Sequence, residues 1–241
     1  VAVTRDRSEA WVLSNRNRDR VALFNFDTRT GRGKLVYEDA RSDLGRVLVS
    51  HILDKAVFAA AVPDYPRPVI LDDRWKADLQ PLLAAYDGAR YGFDVISVDP
   101  AEKRLVGVVY THATRRYHLQ DRENRRHSLL GESRPAQFGK ALVEPQAVEI
   151  EARDGLKLPG YLLRPPGAGA KPLPLVLLVH GGPWARVAWS DLDDSEDLLR
   201  AQFLANRGYA VLIVNYRGST GYGQMFKLAA VGEFGAKMQD D

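Results

Sequence analysis

The sequence predicts a two-part fold, with short antiparallel strands over residues 1–140 and an α/β segment over residues 141–241. Three observations predict it. A group of four short apolar strands recurs three times. The recurrence stops near Lys140. Beyond it, two continuously apolar strands flank an amphipathic helix, the order of a parallel strand–helix–strand unit.

The repeat is legible in its strands. WVLSN (11–15), VALFNF (21–26) and KLVYE (34–38) are apolar, β-branched or aromatic runs between clusters of Asn, Asp, Arg and Gly. DTRTGRG (27–33) carries two glycines and reads as a hairpin connection. First strands recur as VAVT (1–4), RVLVS (46–50) and DVISV (94–98). Trp11, Phe58 and Val106 hold one place in successive second strands, at steps of 47 and 48 residues. Third strands run into Asp27, Asp72 and Asp121, at steps of 45 and 49. Four strands in some 40–50 residues make a β-propeller blade, which cannot bury both faces alone and stacks on its neighbours. The predicted fold is therefore about three blades of a partial β-propeller; a sandwich is the alternative. The middle unit is disturbed, because DDRWKADLQPLLAAYDG (72–88) reads as partly helical.

In the second part, AVEIEARDGLKLPGYLLRPPG (147–167) forms two strands around Asp154-Gly155, a strong hairpin signal. LPLVLLV (173–179) is apolar throughout, as expected of a strand covered on both faces. DDSEDLLRAQFLANRG (193–208) is a helix. Asp193, Asp194 and Ser195 offer N-caps, and Glu196 and Asp197 suit the positive end of the dipole. Leu198, Leu199, Phe203 and Leu204 make its apolar stripe, and Gly208 fits the left-handed stop. YAVLIVNY (209–216) is the second buried strand.

Composition excludes several functions. The 241 residues carry a net charge of +3, with 45% hydrophobic and 27% charged residues, and no cysteine, so neither disulfides nor thiolate chemistry is available. No apolar run approaches the roughly 20 residues of a membrane helix. The pI is about 9.1, but basic residues are dispersed among acidic ones. The densest pairs, Arg115-Arg116 and Arg125-Arg126, lie near turns and read as solvated charge, not as a nucleic-acid surface. The chain begins with Val1 and shows no basic-then-apolar leader; the sequence sets neither compartment nor oligomeric state.

The chemistry sits in two loops at the carboxyl ends of the apolar strands, where open parallel sheets bind ligands: HGGPW (180–184) and NYRGSTGYG (215–223). Glycine lets backbone N–H groups approach an oxygen that gains charge, which makes an oxyanion hole. In α/β-hydrolases one such donor comes from an HGGG-type loop, and Gly181 and Gly182 take that place. A plain tight turn is the competing reading. Gly218, Gly221 and Gly223 do not fit G-x-G-x-x-G, and no G-x-x-x-x-G-K-[ST] occurs, so no nucleotide is expected. His180 is read as a structural residue that orients its loop, because the catalytic His of that fold follows the Ser and the acid. His51, His112, His118 and His127 lack metal-ligand spacing, and neither a metal nor a cofactor is expected.

LPLVLLVHGGPWAR, FLANRGYAVLIVNYRGSTGYG and GEFGAKMQDD closely resemble the prolyl oligopeptidase family of serine peptidases, especially its acylaminoacyl-peptidase and dipeptidyl-peptidase-like branch, from about Val148 to Asp241. The resemblance implies a propeller that restricts access to an α/β-hydrolase domain, and cleavage of short peptides by a Ser-Asp-His triad. It implies the oxyanion loop at Gly181 or Gly182, with His180, Pro183, Trp184, Tyr216 and Arg217 near the crevice. The triad itself is expected outside this chain. The nucleophile elbow is G-x-S-x-G. Ser133 has Pro135 where the second glycine belongs, and Ser219 lies between Arg217 and Gly221. The expectation is an inactive piece of a larger peptidase. The alternatives are a non-catalytic binding or scaffolding protein, and an esterase on the same fold, against which the repeat argues.

Overall fold

The computed structural model describes residues 2–133, 138, 141–169, 171–189 and 196–241. They fall into two compact units, one of Val1–Val109, Arg116–Glu132 and Gly221–Gly223, the other of Tyr110–Arg115, Ser133–Thr220 and Gln224–Asp241. The expected boundary residue Lys140 lies outside the described residues, as do the expected caps Asp193, Asp194 and Ser195.

The first unit holds three antiparallel sheets that follow the repeat. Strands β1 (Ala2–Val3), β2 (Glu9–Ser14), β3 (Ala22–Asp27) and β4 (Gly33–Tyr37) pair in chain order. Strands β5 (Leu44–Ser50), β6 (Lys55–Ala61) and β7 (Arg67–Ile70) pair likewise. So do β8 (Gly92–Val98), β9 (Arg104–Tyr110), β10 (Arg115–Asp121) and β11 (Arg126–Glu132). The repeat extends to backbone geometry. Arg7, Asp54 and Glu102 all have positive φ, at steps of 47 and 48 residues, and each sits in the turn between the first two strands of its sheet.

The aspartates at the ends of the third strands cap the next turn or helix. Asp27 Oδ1 accepts the Arg29 and Thr30 amides in the β3–β4 turn. Asp121 Oδ1 accepts the Asn124 amide in the β10–β11 turn. Asp72 Oδ1 accepts the Arg74 and Trp75 amides, but as the N-cap of α1 (Asp73–Ala84). The middle unit thus has three strands and, in place of the fourth of the repeat, the helix that residues 72–88 suggested. The apolar residues of that helix explain the exchange. Trp75, Leu79 and Leu82 share one face and are buried with Phe58, Phe93 and Leu105, filling space that a fourth strand could not. Phe58 and Phe93 meet edge to face at 5.8 Å.

The second unit centres on one mixed sheet. Strands β12 (Gln146–Glu151) and β13 (Lys157–Leu163) form the hairpin around Asp154-Gly155. Strands β14 (Leu175–Val179) and β15 (Ala210–Val214) are parallel and joined through α2 (Glu196–Ala205); the sheet order is β12-β13-β15-β14. Gly208 has φ +94° just beyond α2, as a helix stop requires.

Two expectations are corrected by this sheet and its helix. Strand β15 is covered on both faces, whereas β14 is the sheet edge and leaves Leu175, Leu177 and Val179 exposed on one face. The helix buries Leu198 of the expected stripe, but its other buried residues are Ala201, Gln202 and Ala205, while Leu199 and Phe203 face outward. Small alanines at the contact let α2 lie close to the sheet, and the Arg207 guanidinium stacks over the outward Phe203 ring. Two short helices, α3 (Gln224–Leu228) and α4 (Lys237–Asp240), complete the elements.

Candidate functional site

The site grows from the carboxyl ends of β14 and β15. Where β14 ends, His180 is buried while Gly181 and Gly182 are exposed. Gly182 has φ +145°, and a Cβ there would come within 2.9 Å of the Trp184 amide nitrogen, so this position tolerates only glycine. Gly181 has open space around its missing side chain. Among the described residues neither Gly181 nor Gly182 donates its N–H to another group.

Four ties from the β15 loop hold this loop in place. The Asn215 side chain donates to the Val187 carbonyl at 3.0 Å and accepts from its amide at 2.8 Å, imitating a strand partner. The Tyr216 hydroxyl donates to the His180 carbonyl at 2.9 Å. The Thr220 amide donates to the Ala185 carbonyl at 2.9 Å. The His180 ring lies within reach of the Ser219 hydroxyl, at 2.9 Å from Nε2 to Oγ, and of the Gly181 carbonyl, at 2.8 Å from Nδ1. Its face stacks on Tyr216 with centroids 4.5 Å apart. Burial lowers the His180 pKa and raises that of Tyr216, so both rings are held uncharged at neutral pH.

The predicted residues divide into two groups. His180, Gly181 and Tyr216 converge on one network, with Pro183 buried beside it and Trp184 half exposed. Gly218, with φ +99°, makes room there, since a Cβ would reach the Pro183 and Trp184 side chains and crowd Ala230 at 2.7 Å. Arg217 is drawn elsewhere. Its guanidinium is buried between two carboxylates, bonding Asp241 at 2.6 and 2.7 Å and Asp154 at 2.9 and 3.0 Å. These bonds from Arg217 hold the Asp154 carboxyl at about 2, well below the usual range. Tyr216 also borders an apolar hollow of about 260 Å³ with Leu177, Val179, Val214, Phe234 and Met238.

Sequence reasoning misses two residues. It weighs Ser219 only as a nucleophile, yet this serine is fully buried and bonded to His180. It places Asn215 where strand 209–216 and loop 215–223 overlap but gives it no role; the available signal is a polar residue closing an apolar strand, which must find a partner when buried. Among the described residues no cluster of His, Asp or Glu could hold a metal ion.

The chain thus joins repeated antiparallel sheets to a strand–helix–strand sheet whose parallel strands end in glycine-bearing loops. Comparison with known proteins adds a family likeness. Residues 195–241 match the profile of the prolyl oligopeptidase family, and the chain is a relative of that family's peptidases. It is 39% identical over 251 residues to dipeptidyl aminopeptidase BIII of Pseudoxanthomonas mexicana, an alignment covering 99% of this chain and 34% of the relative. It is 36% identical over 99 residues to the human acylamino-acid-releasing enzyme, covering 40% and 12%. In fold it matches a Mycobacterium tuberculosis puromycin-hydrolyzing peptidase with a TM-score of 0.72 and 18% identity, over 100% of this chain and 37% of the other. The chain spans about a third of the length of these full-length matches.

Proposed function

We propose that this chain is part of a serine peptidase that cleaves short peptides, with residues 1–140 in a β-propeller and residues 141–241 opening an α/β-hydrolase domain. The observation that carries the reading is the exposed Gly181-Gly182 peptide at the end of β14, whose carbonyl is taken by a buried histidine. In a trans peptide the carbonyl and the following N–H point in opposite directions. A contact that draws the Gly181 carbonyl inward to His180 aims the Gly182 N–H outward. An outward N–H with no partner among the described residues suits an oxygen that becomes negative as a carbonyl is attacked. The nucleophile, acid and catalytic histidine are assigned to the remainder of a protein of the relatives' length. The apolar hollow beside Tyr216 suits a peptide side chain.

The test uses a protein of the relatives' length that contains this chain. A fluorophosphonate probe is expected to label it, and dipeptidyl or acylaminoacyl anilides to be hydrolysed. Gly182→Ala keeps the N–H but cannot hold φ +145°, so the donor is displaced and kcat should fall by about 10²-fold. Absence of both labelling and hydrolysis would overturn the reading. The 241-residue chain alone is expected to hydrolyse neither substrate.

A further inference from the structure

The geometry points to Ser219 as a positioning residue: its hydroxyl turns from the Tyr216 carbonyl onto His180 Nε2 and so supports the Nδ1-protonated ring that grips the Gly181-Gly182 peptide. This rests on the reading of that peptide as the oxyanion loop.

Three contacts converge on two side chains: His180 Nδ1 to the Gly181 carbonyl at 2.8 Å, His180 Nε2 to Ser219 Oγ at 2.9 Å, and Ser219 Oγ to the Tyr216 carbonyl at 2.7 Å. A carbonyl only accepts, so the first contact needs a proton on Nδ1 and the third uses the single hydroxyl proton. The second would then need a proton on Nε2. All three hold together only for an imidazolium, and burial disfavours that charge. A neutral ring must give up one.

Of the three neutral arrangements, the one that keeps the hydroxyl on the Tyr216 carbonyl and Nδ1 protonated sets the Nε2 and Oγ lone pairs against each other at 2.9 Å, so two compete. In the first, the Ser219 hydroxyl donates to Nε2, Nδ1 carries the proton, and the Gly181 carbonyl is held. The bond given up is that from the Ser219 hydroxyl to the Tyr216 carbonyl. That carbonyl keeps a partner, because it also accepts the Ser219 amide at 3.0 Å. In the second, Nε2 carries the proton and Nδ1 faces the Gly181 carbonyl with lone pair against lone pair at 2.8 Å. The Gly181 carbonyl has no second partner among the described residues. The first arrangement therefore prevails, since an unsatisfied, repelled acceptor costs more than a shared one. Stacking on Tyr216 fixes the ring plane, so the proton position alone decides whether the glycine peptide is gripped.

The experiment is nitrogen-15 NMR of histidine-labelled full chain, with His180 assigned by its loss in His180→Gln. At pH 7 the expected signal is one neutral tautomer, protonated at Nδ1. Ser219→Ala removes the donor to Nε2, so the Nε2 resonance should move downfield and the Gly182 amide resonance should shift with the loosened ring. Ser219→Thr, which keeps the hydroxyl, should restore both. An Nε2-protonated ring or an imidazolium in the parent chain would overturn the inference. So would a folded Ser219→Ala chain with unaltered ring and amide signals. If Ser219→Ala fails to fold, the parent tautomer and the Thr variant still decide. In a protein of the relatives' length, Ser219→Ala should lower kcat roughly 10- to 100-fold through misplacement of the donor, with KM nearly unchanged. Altered ring and amide signals with unaltered kcat would uphold the clamp and overturn the oxyanion role of the loop.

Discussion

Arg217 shows how one residue ties sequence-distant loops together. Its guanidinium spans the β12–β13 hairpin through Asp154 and the end of α4 through Asp241, whose side chain is fully buried. Removing the cation would leave the Asp241 carboxylate buried and unpaired. Arg217→Met is therefore expected to destabilise the chain by about 3–5 kcal/mol, measured by urea unfolding. Arg217→Lys should rescue only part, because a single ammonium cannot reproduce the forked bonds to both carboxylates. The same cluster sets an acid response. Asp154 has a folded pKa of about 2, below its ordinary value, so its contribution is complete above about pH 4 and lost as pH falls towards 2. Thermal midpoints between pH 5 and 2 should fall less steeply for Asp154→Asn than for the parent. Equal slopes would show that the pair contributes nothing.

At the scale of elements, the periodic aspartates were legible in the sequence, but their partners were not. An Asp after an apolar run signals a capped turn, and Asp27 and Asp121 cap turns. Asp72 carries the same signal into a helix, because Trp75, Leu79 and Leu82 at helical spacing outweigh the hairpin. It also pairs with Lys55 and is almost fully buried. Asp72→Ala should therefore cost about 1–2 kcal/mol from the lost cap, with loss of helical signal in far-ultraviolet circular dichroism. Asp27→Ala, in an exposed turn, should cost less and leave that signal unchanged. A larger loss at Asp27 would count against this ordering. The helix α2 was legible in position but not in facing. Leu199 and Phe203 look like core by hydrophobicity, yet Ala201 and Ala205 make the closer contact with the sheet. Side-chain volume at the contact decided the facing, and a hydrophobicity pattern does not record it.

Across the whole molecule, the glycine loop and both parallel strands were legible because they rest on local signals: apolar continuity, turn residues and helix stops. The Ser219–His180 contact and the Arg217 cluster were not, because they join residues 24 to 63 positions apart. The bare face of β14 was also hidden, since a continuous apolar run looks the same whether one face or two are covered. Leu175, Leu177 and Val179 lie exposed on one side of an edge strand, and Leu177 and Val179 line the same hollow as the largely exposed Phe234. Apolar surface of this kind on a strand with an unpaired edge favours association. The 241-residue chain should therefore bind the dye ANS and sediment as larger species with rising concentration. Leu177→Lys combined with Val179→Asp should reduce both effects without shifting the far-ultraviolet spectrum, because neither side chain is in the core. A parent chain that stays monomeric at 100 micromolar (about a hundredfold above the micromolar scale of weak association) and leaves the dye dark would show that this face is already covered in solution.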